Sequence, residues 1–130
     1  MASSRPRTAR RAAMVALCLA LLAAAPAAAA PNDGFAAFWK GFAAAVARDD
    51  QTALASMTIV GPGLDDQASF AAFHAADLKP SQRRCLARAR PVRDVDGQGE
   101  ANYSAQCGAW VYVFYKRAGA WKLTDVGAGD

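Results

Sequence analysis

The apolar residues of this chain change their spacing at Pro80, and this change limits the folds that the chain can adopt. Before Pro80 they recur at every third or fourth position, which is the period of a helix. After Pro80 apolar and polar residues alternate, which is the period of a strand. The predicted helices cover residues 35–46, 51–60 and 65–78, and the predicted strands cover residues 85–92, 101–107, 109–116 and 120–127. Helices followed by antiparallel strands predict an α+β fold.

The first 29 residues form a predicted signal peptide. Four arginines precede an apolar run over residues 12–25, and a proline and several alanines follow it. This order of a basic, an apolar and a small-residue region is typical of secretory leaders. The apolar run is shorter than the about 20 residues that a membrane-spanning helix needs. We therefore expect cleavage after Ala28 or Ala29, export to the periplasm, and a single domain over residues 30–130 without a membrane span.

The net charge of the chain depends on this leader. The full sequence has 15 Lys and Arg against 11 Asp and Glu, and four of the arginines lie in the leader. The mature chain is therefore formally neutral, which argues against a nucleic acid as partner. Residues 79–93 nevertheless hold six basic residues and no acidic one. Such a stretch forms either a solvated face or a surface for an anionic partner, and the sequence leaves both open.

The predicted mature chain has two cysteines, Cys85 and Cys107. If the first predicted hairpin turns at Asp96, the two cysteines face each other, and the same register separates an apolar face from a polar one. We therefore expect a cross-strand disulfide, which an oxidising compartment favours. This bond is expected to contribute about 3 kcal/mol to the free energy of unfolding. A single His and the lack of a C-x-x-C motif argue against a metal site, and we expect no cofactor.

The strand predicted over residues 109–116 carries bulky side chains on both of its faces. If the parity of the preceding strand continues, three of its four aromatic residues, Trp110, Tyr112 and Phe114, point outward beside the arginines and form a partner-binding face. The alternative is a β-bulge at Gly108, which would bury them against the helices. The next turn leaves the same choice open, because a three-residue turn pairs Val113 with Leu123 and a two-residue turn pairs Phe114 with Leu123. The candidate partner-binding residues are Arg84, Arg88, Arg90, Trp110, Tyr112 and Phe114.

The order of elements resembles the nuclear transport factor 2-like superfamily, which includes ketosteroid isomerases and polyketide cyclases. The resemblance is carried by the segment "FAAFWKGFAAAVARDDQTALASM", a short helix around Phe70 and the closing hairpin "VYVFYKRAGAWKLTDVG". It implies N-terminal helices packed in the concave face of a curved antiparallel sheet. It also implies a cone-shaped pocket at the open end of the domain and a dimer through the outer sheet face.

The candidates for chemistry in such a pocket are His74, Asp77, Tyr103 and Asp125. An isomerase or cyclase needs an acid/base pair in a dry cavity. The sequence spacing places no two of these residues together, so we regard His74, Tyr103 and Asp125 as weak candidates and assign no catalytic residue.

The functional expectation is an exported, periplasmic, non-enzymatic binding module. It would use the cone pocket for a small apolar ligand, or the outer sheet face for a second copy of the chain or another envelope protein, for example as an inhibitor or immunity-type protein. The alternative is a pocket enzyme of the ketosteroid isomerase or polyketide cyclase kind.

Overall fold

The computed structural model of the chain describes residues 32–61, 64 and 67–129. The predicted signal peptide and its cleavage site lie outside these residues. The helices are α1 (Phe35–Ala47), α2 (Gln51–Ser56), α3 (Phe70–Asp77) and α4 (Pro80–Leu86), and the strands are β1 (Val92–Val95), β2 (Ala101–Cys107), β3 (Trp110–Arg117) and β4 (Ala120–Ala128). The strands form one open antiparallel sheet in the order β1-β2-β3-β4. The α+β class is thereby confirmed. None of the helices in the described ranges has the length and apolar character needed to cross a bilayer.

Helix α1 ends in a pair of backbone hydrogen bonds that define a Schellman motif. The amide of Asp49 donates to the carbonyl of Val46 at 3.2 Å, and the amide of Asp50 donates to the carbonyl of Ala45 at 2.9 Å. Asp49 has a φ of 52°, in the left-handed region where glycine is the usual residue. Asp50 then caps α2, because its Oδ1 accepts the amide of Ala53 at 3.1 Å.

Helices α2 and α3 are shorter than predicted. Helix α2 ends at Ser56, because residues 57–59 pair instead with Leu123 at the free edge of β4. Helix α3 begins at Phe70, where the side chain of Ser69 caps the first turn by accepting a backbone amide.

The strand predicted over residues 85–92 is wrong, because residues 85–86 belong to α4, residues 87–88 form a turn and only Val92 lies in a strand. Pro80 stands at the first position of α4, where its fixed φ favours a helix. Gln82 Oε1 accepts the Lys79 amide at 2.9 Å, and Gln82 and Leu86 are buried one turn apart. The strand begins only at Val92, after Pro91. The alternation of alanine and arginine in this segment therefore does not report a sheet face.

The β2–β3 turn decides which way the aromatic residues of β3 point. Cys107 pairs with Trp110, so Gly108 and Ala109 form a two-residue turn, with Gly108 at a φ of 62°. In this register Ala105 faces Tyr112 on the inner side of the sheet. Strands β2 and β3 are therefore two strands joined by a turn and not one continuous strand. This reverses the faces to which the side chains of β3 were predicted to point.

The β3–β4 turn is the two-residue alternative. Arg117 pairs with Ala120, and Ala118 and Gly119 both have positive φ. This register pairs Phe114 with Leu123, as the alternative required. A β-bulge does occur, but it lies between Val113 and Phe114 opposite β4 and not at Gly108.

The core lies between α1 and the inner face of the sheet and is mainly aromatic. Phe35 stacks on Tyr103 with ring centroids 3.6 Å apart and meets Trp121 edge-on at 5.2 Å. Phe42 meets Phe114 edge-on at 5.1 Å. These contacts pin the N-terminal helix to β2, β3 and β4.

The predicted disulfide between Cys85 and Cys107 is present, with a Cα–Cα distance of 5.8 Å. It joins α4 to β2, however, and does not cross a hairpin. The predicted register about Asp96 is wrong, since Val92 pairs with Ser104 and the amide of Asp96 closes the turn by donating to Glu100. The cysteines meet because α4 packs against β2.

Candidate functional site

An open cleft of about 450 Å³ lies between the end of α1 and helix α4. We call it the arginine cleft. Its charged lining residues are Arg48, Asp49, Arg83, Arg84 and Arg88. Its apolar lining residues are Val46, Ala47, Pro80 and Ala87. Four positive charges and one negative charge therefore surround a partly apolar floor.

The helical course of the chain brings Arg84 and Arg88 to one side of the cleft. Arg84 lies in α4, and the turn after α4 continues its winding because the amide of Arg88 donates to the carbonyl of Cys85 at 3.0 Å. Residues four positions apart on such a path share a face. Arg48 reaches the cleft from the C-cap of α1. Cations at these helix C-termini are favoured by the helix dipole.

The arginines of the cleft differ in their partners. Arg83 is the most constrained, because it donates to the carbonyl of Leu78 at 2.6 Å and its Nε lies 3.6 Å from Asp49 Oδ1. Arg48 contacts Asp50 at 3.4 Å in an exposed pair. Within the described part of the chain, Arg84 and Arg88 have no acidic partner, and both are exposed. Their guanidinium groups are available to an external anion.

Asp49, at the end of α1, contacts side chains of α3 and α4 at the wall of the cleft. His74 of α3 donates its Nε2–H to Asp49 Oδ1 at 2.7 Å, and Arg83 of α4 lies on the same carboxylate oxygen. The hydrogen bond from His74 and, to a smaller extent, the charge of Arg83 lower the pKa of the Asp49 carboxyl. The left-handed backbone at Asp49 therefore carries a charged side chain that glycine would not provide.

The residues considered for pocket chemistry do not form an acid/base pair with one another. His74 binds Asp49, Tyr103 donates to Asp33 Oδ2 at 2.6 Å, and Asp125 accepts from the Thr124 hydroxyl at 2.7 Å. In the described ranges no hydrogen bond joins two of these three candidates. Asp77 is buried in α3, and its backbone carbonyl accepts the Tyr112 hydroxyl at 2.5 Å.

The Tyr103–Asp33 pair has shifted pKa values in opposite directions. Burial and the neighbouring Asp33 carboxylate raise the pKa of the Tyr103 phenol. Burial opposes the shift at Asp33, but the hydrogen bonds from Tyr103 and the Phe35 amide lower the pKa of its carboxyl. The pair anchors the start of α1 to β2, and the Trp121 indole donates to the Asp33 carbonyl at 2.8 Å.

The predicted outward orientation of Tyr112 and Phe114 on β3 is wrong, and the alternative, burial in the core, is correct. Tyr112 and Phe114 have 0% exposed surface and belong to the core. Trp110 is 38% exposed and lines a second cleft of about 350 Å³ beside the disulfide. Arg84 and Arg88 line the arginine cleft instead, and Arg90 is exposed outside its lining.

Three charged residues of the arginine cleft were not among the candidates from the sequence, namely Arg48, Asp49 and Arg83. The basic stretch over residues 79–93 was the sequence feature that pointed to this site. Part of it was predicted to be a strand, so the face of helix α4 that lines the cleft was not recognised. No cluster of metal-ligating side chains occurs in the ranges that the structure describes. Comparison of the chain with protein-family models, curated proteins and solved structures found no match.

Proposed function

We propose that this protein is an exported binding module that holds an anionic group of its ligand in the arginine cleft. The observation that carries the proposal is the pair of exposed guanidinium groups, Arg84 and Arg88, that have no acidic partner among the residues that the structure describes and that line a cleft of about 450 Å³. Guanidinium groups bind carboxylates and phosphates through paired, charge-assisted hydrogen bonds. The cleft volume lies in the range of small-molecule sites.

One arginine side chain of the cleft is already ordered without a ligand, and this also supports binding. Arg83 is already held by Leu78 and Asp49, so its conformational entropy is largely lost before any ligand arrives. Arg83 would therefore not have to be ordered on binding, which lowers the cost of association.

A ligand in a cone pocket has weaker support. The space between α1 and the sheet is occupied by stacked and edge-on rings, including Phe35, Tyr103 and Phe114. The isomerase-type or cyclase-type enzyme, the alternative function, gains no acid/base pair from His74, Tyr103 and Asp125.

Export and family are part of the same proposal. Export is supported by the leader-like order of residues 1–29 and by the Cys85–Cys107 disulfide. Membership of the nuclear transport factor 2-like superfamily is supported by helices that precede and pack on an antiparallel sheet. A homodimer or an envelope partner on the outer sheet face remains a prediction.

The test is a titration of the oxidised protein with acetate and with inorganic phosphate, followed by NMR of the arginine Nε–Hε groups. We expect saturable shifts at Arg84 and Arg88 that weaken in 0.5 M NaCl. The double variant Arg84→Gln/Arg88→Gln should abolish this binding. Arg90→Gln is the matched control, because it removes a charge from the same basic stretch outside the cleft lining.

Two results would contradict the proposal. One is that neither anion produces a saturable shift. The other is that Arg90→Gln weakens binding as much as the double variant, which would mean that the anion responds to the general charge of the stretch and not to the cleft.

A further inference from the structure

We infer that the ligand of the arginine cleft is a small amphipathic anion, with a negatively charged head and a short aliphatic tail. This inference rests on the proposed function, because it specifies the ligand class of the same cleft. It follows from three features of the lining: the apolar floor, the excess of arginines and the lack of aromatic side chains.

The apolar floor favours a ligand with a hydrocarbon part. Ala47 and Pro80 are exposed, and Ala87 is half-buried, so all three offer hydrocarbon surface to the cleft. Covering such surface is favourable in proportion to the area removed from water. A volume of about 450 Å³ also exceeds by far what an inorganic anion fills, given that a water molecule occupies about 30 Å³.

The excess of arginines favours a negatively charged head. Asp49 is the single acidic residue of the lining, and His74 and Arg83 already pair with its carboxylate. Arg84 and Arg88 are therefore left to bind the head of the ligand.

The lack of aromatic side chains disfavours a nucleotide. Nucleobases are usually held by stacking on aromatic rings. The lining residues of the arginine cleft are aliphatic or charged. The aliphatic floor suits an alkyl chain, which needs area and no specific ring geometry.

The experiment compares octanoate, acetate, octanol and octyl phosphate by calorimetry on the oxidised protein. We expect octanoate and octyl phosphate each to bind at least tenfold more tightly than acetate and octanol. The variant Ala47→Gln should weaken octanoate severalfold and leave acetate unchanged, because it makes the floor polar. Ala44→Gln is its control, since Ala44 is exposed on the same helix but lies outside the lining.

The outcomes separate this inference from the proposed function. If acetate binds through Arg84 and Arg88 and octanoate binds no more tightly, the amphipathic ligand is refuted and the anion site remains. If octanol binds as tightly as octanoate, the negatively charged head is refuted. If acetate, inorganic phosphate and octanoate all fail to bind, both proposals fail.

Discussion

Replacement of Tyr112 by phenylalanine tests the register of β3, on which the whole inner face of the sheet depends. The ring of Tyr112 is fully buried, and its hydroxyl donates to the carbonyl of Asp77 at 2.5 Å. Tyr112→Phe keeps the ring and removes only this hydrogen bond. Burial also raises the pKa of the Tyr112 phenol, so the group stays neutral and remains a donor over the ordinary pH range.

The expected cost follows from the position of this bond. A net contribution of about 1 kcal/mol is typical of an intramolecular hydrogen bond, and water cannot replace a hydroxyl that is fully buried, so we expect a loss of about 2 kcal/mol. For a domain of about 100 residues this corresponds to a fall in Tm of about 8–16 °C. Urea denaturation of the oxidised protein, followed by circular dichroism, measures the change in the free energy of unfolding.

Tyr115→Phe is the matched control on the same strand. Tyr115 lies on the outer face, half-buried, and its hydroxyl donates to Asp96 Oδ2 at 2.9 Å. Water can replace that bond, so the variant should lose less than about 1 kcal/mol. A loss at Tyr112→Phe below about 0.5 kcal/mol, or one smaller than at Tyr115→Phe, would refute the inward register.

Two further predictions concern the links that hold the cleft helices. Reduction of the Cys85–Cys107 bond, which spans a sequence separation of 22, should lower the free energy of unfolding by about 3 kcal/mol, and thiol titration of the non-reduced protein should find neither cysteine free; two reactive thiols would contradict this. Asp49→Asn should destabilise the fold at neutral pH. Because the pKa of Asp49 is lowered by folding, its contribution is complete above the ordinary value of 3.8 and is lost as the pH falls through the lowered pKa, so stability curves of wild type and variant should converge in acid. Curves that stay parallel down to low pH would show that charge is not the cause.

Much of the fold follows from local pattern. The apolar spacing that begins at Phe35 predicts α1 within one residue of its observed end, and the alternation over residues 101–107 predicts β2. The pairing of Cys85 with Cys107 is also correct, although the geometry used to derive it is wrong. The pairing survives that error because no other cysteine remains in the predicted mature chain.

The site was less predictable, because it depends on a segment with little local information. Residues 87–90 alternate alanine and arginine, and both are good helix formers. Pro80 at the first helical position and the burial of Leu86 decide for the helix. Once α4 forms, Arg84 and Arg88 lie beside the end of α1, which no strand register would produce.

The sequence by itself determined the class of the fold, the long first helix, the three closing strands and the identity of the disulfide. These features depend on residue spacing along one element or on residue type, which the chain carries locally. Tertiary structure decided the direction of the aromatic side chains on β3 and the position of the arginine cleft. A two-residue turn at Gly108 and Ala109 reverses the parity of β3, and the cleft exists only where α4 packs against α1. Both depend on contacts between residues that are far apart in the sequence, so no single stretch of sequence determines them.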